Sequence, residues 1–213
     1  MAIEISTFMA NTKFTMIVTV AILAVVIIGC VIAYNGAEHD DGSGTFVYTW
    51  GTGTSMDYDI DGGYTRTVSG YDVSYSLRGS AVHDEIISSA ESQFTFQRDA
   101  TMKVTHTDPL TGEIQTETQQ STNTVVQDRE LKYHDAVPST IDTKWGTKNV
   151  VVMKYVTTDS RGNKIDTTDY RDADTFVRYR ADFSCDSYVS SSDTLKDWHM
   201  TYTLTDFKIV ENN

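Results

Sequence analysis

The sequence predicts an all-β domain carried on one N-terminal transmembrane helix. Two observations lead to this fold class. A run of 21 residues, Phe14 to Tyr34, contains no charged side chain. Beyond it, apolar and polar residues alternate with period two, and the strands that this alternation predicts recur about every 10 to 15 residues with short turns between them. We therefore expect one antiparallel β-meander domain, shaped as a curved sheet, a half-barrel or a sandwich.

The apolar run is long enough to cross a membrane. Twelve of its 21 residues are Ile, Val, Leu or Phe, and at about 1.5 Å per residue a helix of this length spans the roughly 30 Å hydrocarbon core. Lys13 precedes the run and acidic residues follow it, so the positive-inside rule predicts a cytoplasmic N-terminus. The expected organisation is a cytoplasmic segment (1–13), an anchor (14–34), an acidic glycine-containing tether (35–44) and an extracytoplasmic β domain (45–213).

Three fates of this segment are compatible with the sequence. Its length favours a retained anchor, because the apolar part of a removable signal is usually only about 7 to 15 residues long. The segment Ile27-Ile28-Gly29-Cys30 resembles the lipobox of bacterial lipoproteins, which implies cleavage and lipidation at Cys30. Simple cleavage after Val31-Ile32-Ala33 is the third fate. Each of them places the β domain outside the cytoplasm.

The charge and the cysteines exclude some functions. The net charge is -13, and with Glu4 and Lys13 set aside 29 acidic residues stand against 16 basic ones. No window is strongly basic, so we expect no nucleic-acid partner. The cysteines are Cys30 and Cys185, which predicts no intrachain disulfide. Cys185 is then a buried small hydrophobe or forms an intermolecular bridge.

Alternation of apolar side chains predicts most of the strands. The alternating sets are Phe46 to Trp50, Met56 to Ile60, Tyr71 to Leu77, Phe94 to Phe96, Met102 to Val104, Val177 to Phe183 and Trp198 to Leu204. The stretch Asn149 to Val156 is apolar on both faces, which predicts a central strand covered on both sides. The stretch Ala81 to Ala90 suits a short helix as well as a strand or loop, since Val82, Ile86 and Ala90 recur every four residues.

Four clusters of turn-forming residues predict the connections between strands. They are Asp61-Gly62-Gly63, Ser69-Gly70, Asp108 to Gly112 and Asp159 to Asn163.

One segment has the spacing of a calcium loop. Asp57-Tyr58-Asp59-Ile60-Asp61-Gly62 places three carboxylates at alternate positions before a glycine. Alternate carboxylates converge on a hard cation when the chain bends, so Asp57, Asp59 and Asp61 are candidate Ca²⁺ ligands. The twelfth position is Val68 where an EF-hand has Glu. The alternative is an amphipathic strand that runs into an Asp-Gly-Gly turn.

No sequence motif indicates catalysis. The sequence contains no G-x-S-x-G, H-E-x-x-H, P-loop or C-x-x-C pattern. His39, His83 and His134 each precede an aspartate, but neighbouring residues on a strand point to opposite faces. We therefore predict that the chain is not an enzyme.

The late strands resemble a known family. The stretches Trp145 to Val156, Asp172 to Phe183 and Met200 to Phe207 are similar in order to the C-terminal half of LolA/LppX-like lipoprotein-carrier domains. That resemblance implies an exported half-barrel that cradles acyl chains or other apolar ligands. The layout as a whole also resembles single-anchor surface proteins of archaea and bacteria.

These observations predict a membrane-anchored, extracytoplasmic, non-enzymatic binding or interaction module. Its expected partners are the membrane, through residues 14–34, and an apolar ligand or a cell-envelope partner. A surface hydrolase with an unrecognised site and a calcium-stabilised surface or adhesion domain are the alternatives. The oligomeric state does not follow from the sequence.

Overall fold

A computed structural model describes residues 44–133, 135–159, 161–190 and 193–212. These residues form twelve β-strands and no helix, which confirms the predicted all-β class. The predicted anchor at 14–34, with its Cys30, lies outside the described residues. So do the cytoplasmic segment and all of the tether except Gly44. Within the described ranges, no helix has the length and apolar character needed to cross a membrane.

The strands follow one another closely along the chain. They are β1 (Gly44–Val47), β2 (Ser55–Val68), β3 (Tyr71–Ser76), β4 (Ser80–Ser89), β5 (Gln93–Thr107), β6 (Ile114–Asp128), β7 (Glu130–Tyr133), β8 (Val137–Thr143), β9 (Gly146–Thr158), β10 (Lys164–Asp172), β11 (Arg178–Val189) and β12 (Thr194–Lys208).

Ten of the strands form one antiparallel meander. Its order is β6-β5-β4-β2-β12-β11-β10-β9-β8, and β3 continues the line of β4 alongside β2 and β5. The strands β2 and β12 pair with each other, so the beginning and the end of the domain meet at its centre. Strands β1 and β7 form a separate two-stranded ribbon. Short turns join successive strands of the meander, as the sequence predicts.

The large sheet is strongly curved. Arg98 on β5 and Arg178 on β11 line the same cavity although β4, β2 and β12 lie between their strands. In a flat sheet with about 4.8 Å between strands, β5 and β11 would be about 19 Å apart. The sheet therefore folds over its inner face, which agrees with a curved meander.

Aromatic residues near the first strand close the inner face. Phe46 stacks on Phe176 with ring centroids 4.3 Å apart, and Tyr48 lies edge-on to Phe94 at 5.6 Å. Arg129 secures this segment, because its Nη1 donates to the Tyr48 carbonyl oxygen at 2.7 Å and its Nε donates to the Ala90 carbonyl oxygen at 2.6 Å. The short β1 segment is thus tied to the main sheet.

The stretch 81–90 is a strand, so the helical alternative is wrong. Val82, Asp84 and Ile86 on β4 are buried, and the residues between them are more exposed. Residues four positions apart lie on the same face of a helix, but they also lie on the same face of a strand. The repeat of Val82, Ile86 and Ala90 therefore could not distinguish the two structures.

The prediction that Asn149 to Val156 forms a central strand is also wrong. Strand β9 lies next to the edge strand β8, while β2 and β12 occupy the centre. Val150 and Met153 are buried, but Val156 is 56% exposed. A strand that is apolar on both faces, such as β9, therefore need not lie at the centre of its sheet.

Asp61-Gly62-Gly63 is not a turn, because it lies inside β2. A Cβ atom at Gly62 would lie 2.4 Å from the His199 carbonyl oxygen, and one at Gly63 would lie 2.4 Å from the Tyr75 carbonyl oxygen. The two glycines therefore permit close approach of β12 and β3. The other turn predictions are confirmed: the chain turns between β2 and β3, between β5 and β6, and between β9 and β10.

Candidate functional site

Five charged side chains that pair with one another lie inside the curved sheet. They belong to strands from both of its halves, and none is more than 15% exposed: Asp84, Arg98, Asp169, Arg171 and Arg178. We call these residues the inner charge cluster. Charged groups are rarely buried unless they are paired, so this cluster is the most unusual feature of the interior.

Asp84 and Arg98 form the first pair of the cluster. They occupy directly opposed positions on β4 and β5. The Arg98 Nε and Nη2 atoms donate to the two Asp84 oxygens at 2.7 and 2.6 Å. Burial lowers the pKa of the Arg98 guanidinium, but the adjacent Asp84 carboxylate raises it by more, so its pKa lies above the usual arginine value. Arg98 therefore stays charged inside the protein.

Asp169 on β10 is held by two arginines. Arg171 Nε donates to it at 2.9 Å, and Arg178 donates through Nε and Nη2, both at 2.9 Å. Burial raises the pKa of the Asp169 carboxyl, but the two guanidiniums outweigh burial and the net pKa is lowered. Arg171 Nη1 also donates to the Tyr48 hydroxyl oxygen at 2.5 Å. The segment after β1 thus contacts the cluster directly.

A cavity of about 60 Å³ lies against the inner charge cluster. Its walls combine aromatic, aliphatic and charged side chains: Tyr48, Trp50, Met56, Tyr58, Asp84, Ile86, Phe94, Phe96, Arg98, Gln127, Arg171 and Arg178. Pockets for drug-sized ligands measure about 300 to 1,000 Å³. This cavity has room for a few waters or one small ion, but an acyl chain does not fit.

Arg98, which lines this cavity, has one donor without a partner among the described residues. Its Nη1 is buried and has no hydrogen-bond partner among the described residues. The other buried side-chain atoms in that condition are uncharged: Tyr64 Oη, Gln119 Oε1, Thr167 Oγ1 and Trp198 Nε1. The Arg98 guanidinium also lies 5.5 Å from the centroid of the Phe96 ring. A buried positive side chain with one N–H group that has no partner among the described residues therefore lines the cavity.

The predicted calcium ligands lie on one extended strand. Asp57, Asp59 and Asp61 alternate along β2, where residues two apart are separated by about 6.6 Å. Asp57 accepts a 2.6 Å hydrogen bond from His83, and Asp61 accepts one from the Gly62 N–H. No three His, Cys, Asp or Glu residues within the described ranges are grouped so that they could hold a metal ion. Calcium binding by Asp57, Asp59 and Asp61 thus stays a prediction.

The remaining singled-out residues have structural surroundings. His83 points to the outer surface while Asp84 points inward, as expected for neighbours on a strand. Cys185 is a buried free thiol, and burial raises its pKa. Its position agrees with a small hydrophobe in the core. His39 and His134 lie outside the described residues.

The inner charge cluster was not predicted from the sequence, although the alternation pattern contains a signal for two of its residues. Arg98 follows Phe94 and Phe96 in the same alternation and precedes Ala100, and all four side chains are buried. Asp84 likewise lies between Val82 and Ile86 in the alternation of β4, and all three side chains are buried. A charged residue at an inward position of an alternating strand is the pattern that would have identified these two residues.

A second candidate site is the outer edge of β6. This strand has 15 residues and pairs with β5 through an uninterrupted register, and it pairs with no other described strand. It contains no Lys, Arg, Pro or Gly, and its acidic residues are Glu117 and Asp128. The opposite edge, β8, has only seven residues and includes Pro138.

Comparison with known proteins gives no relative. No protein-family model, curated protein or solved structure matches the chain.

Proposed function

We propose that the chain is a membrane-anchored, extracytoplasmic, non-enzymatic interaction module that binds an extended segment of a cell-envelope partner along β6. The anchor in this proposal is the apolar run 14–34. The observation that carries the proposal is the long and regular β6, which over 114–125 pairs only with β5 among the described strands.

An edge strand offers a row of backbone N–H and C=O groups to any extended chain. Proteins usually blunt such edges with short strands, lysines, prolines or bulges. Strand β8 has two of these features, its length and Pro138, whereas β6 has none of the four. An edge of this kind suits the addition of a partner strand.

The side chains of β6 favour an uncharged or basic partner segment. The sequence of β6 is rich in Thr, Gln, Ser and Asn, and its charged residues are both acidic. Thr pairs across neighbouring strands contribute about 0.2 to 1 kcal/mol each. The net charge of -13 also disfavours an acidic partner and opposes self-pairing.

The interior supports interaction over the carriage of apolar ligands. The inner face is filled by aromatic and aliphatic side chains, and its cavity of about 60 Å³ is far smaller than an acyl-chain site. The cavity also offers no arrangement typical of hydrolysis. The carboxylate that lines it, Asp84, is held by both Nε and Nη2 of Arg98, which leaves it poorly placed to act as a base.

A photocrosslinker at Gln120, an exposed position on β6, tests the proposal in native membranes. The crosslinked segment of the partner is identified by mass spectrometry and synthesised as a peptide. We expect this peptide to bind the purified full-length chain. The double variant Gln120→Lys/Thr124→Lys should lose that binding, because lysines on an edge strand obstruct pairing.

The matched control places lysines on the other edge. Ser139→Lys/Thr140→Lys changes two exposed residues of β8 and should bind the peptide as wild type does. Equal loss of binding in both double variants would contradict a site at β6. Crosslinks from Gln120 that reach only a second copy of the chain would contradict a separate partner.

A further inference from the structure

We infer that the cavity beside Arg98 binds one small monovalent anion, of the chloride or short-carboxylate class. This inference concerns the interior of the sheet and is independent of the proposed function of β6. It depends on the charge, the donors and the size of the cavity.

The inner charge cluster is unbalanced. Arg98, Arg171 and Arg178 supply three positive charges, and Asp84 and Asp169 supply two negative charges. A net charge in a buried cluster carries a high desolvation cost. One monovalent anion would neutralise the cluster.

Two donor side chains in the cavity wall indicate where this anion binds. Arg98 is 3% exposed, it lines the cavity, and its Nη1 has no partner among the described residues. Tyr58 also lines the cavity, and its hydroxyl donates to the Met56 sulfur at 3.4 Å. A thioether is a weak acceptor, so an anion is a better partner for this hydroxyl. Both side chains thus belong to the wall of the cavity that would hold the ion.

The volume limits the anion to a small one. The cavity measures about 60 Å³, whereas a dry cavity that binds benzene measures about 150 Å³. Chloride, bromide, formate or acetate fits this limit. Gluconate exceeds it and serves as the excluded anion in the test.

The first test measures thermal unfolding of the full-length chain in detergent, in sodium chloride against sodium gluconate at equal concentration. A site that only the folded state offers should raise the melting temperature by about 3 to 6 °C at a chloride concentration tenfold above the dissociation constant. The rise should saturate, because one site fills. A melting temperature that does not respond to chloride overturns the inference.

Two matched double variants assign the effect to the cavity. Asp84→Asn/Arg98→Met removes the inward pair together, so that neither charge is left without its partner. Arg180→Met/Asp182→Asn makes the same changes in a more exposed pair, in which the arginine is 47% and the aspartate 32% exposed. We expect the saturable chloride response to disappear in the first variant and to persist in the second. An equal response in both overturns the inference.

A direct measurement covers the case in which the inner variant does not fold. Crystals of the wild-type chain grown in sodium bromide should show one anomalous peak within hydrogen-bonding distance of Arg98 Nη1. A cavity that contains water alone, or bromide found only on the protein surface, overturns the inference.

Discussion

Asp84 and Arg98 face each other across β4 and β5, and two hydrogen bonds of 2.7 and 2.6 Å join their side chains inside the sheet. A pair in this position has the geometry that favours a buried arginine, because both carboxylate oxygens accept from one guanidinium. The pair also sets the charge of the cavity wall. Its energetic role can be tested by removing one partner.

Asp84→Ala should strongly destabilise the domain. The change leaves Arg98 buried without its carboxylate, which typically costs about 3 to 5 kcal/mol. Asp182→Ala, in the more exposed pair with Arg180, should cost about 1 kcal/mol or less. Urea unfolding followed by tryptophan fluorescence measures both values. Similar losses in the two variants would contradict a special role for the inner pair.

Stability should fall in acid partly through Asp172. Burial raises the pKa of its carboxyl, but hydrogen bonds from Thr175, Tyr179 and the Asp174 N–H outweigh burial and lower the net pKa. A carboxyl with a lowered folded-state pKa stabilises the protein above its unfolded pKa of about 3.8 and loses this contribution as the pH falls through the folded value.

The variant Asp172→Asn isolates this contribution. It should be less stable than wild type at pH 7, and its free energy of unfolding should change less between pH 5 and strongly acidic pH. Urea titrations at a series of pH values give both quantities. Parallel pH profiles for the two proteins would exclude Asp172 as a source of acid sensitivity.

The inward and outward faces of β9 should differ in tolerance to charge. Met153 is 2% exposed, so Met153→Asp buries an unpaired carboxylate at a cost of several kcal/mol against a total stability of about 5 to 15 kcal/mol. Val156 lies on the opposite face and is 56% exposed, so Val156→Asp should be tolerated better. Circular dichroism and soluble yield show whether each of the two variants folds. A folded Met153→Asp protein would show that Met153 is not in the core.

Gly62→Ala should cost more than Gly70→Ala. Both glycines have a positive φ, which costs an alanine about 1 to 2 kcal/mol. At Gly70 a Cβ atom meets nothing within 4 Å, but at Gly62 it would lie 2.4 Å from the His199 carbonyl oxygen. The added clash should separate β2 from β12 locally. Denaturant unfolding of the two variants tests this order.

Cys185 should react slowly with a thiol reagent. The side chain is 7% exposed, and burial raises the pKa of its thiol, so little thiolate is present near neutral pH. In a Cys30→Ser background, Ellman's reagent should label Cys185 mainly after denaturation. Rapid labelling of the native protein would indicate an accessible thiol that can form an intermolecular bridge.

Local patterns in the sequence determined most of the secondary structure. Side chains on a strand alternate between two faces, so sets such as Met56, Tyr58 and Ile60 mark both the strand and its inward side. Turn residues act over a few positions, and Asp108 to Gly112 joins β5 to β6 as predicted. The class of the domain and the turns between successive strands follow from these short-range effects.

Features that depend on strand order and curvature came only from the tertiary structure. The place of β9 near an edge depends on which strands pair, and apolar residues on both faces do not specify that. Gly62 lies inside a strand where β12 approaches it closely, and the residues around Asp61 do not reveal this contact.

The inner charge cluster also depends on the curvature of the sheet. The phase of alternation marks Asp84 and Arg98 as inward, but only the curvature of the sheet brings them to the cavity that Arg171 and Arg178 also line. The alternation is a local property of the backbone, whereas the curvature results from packing across the whole sheet.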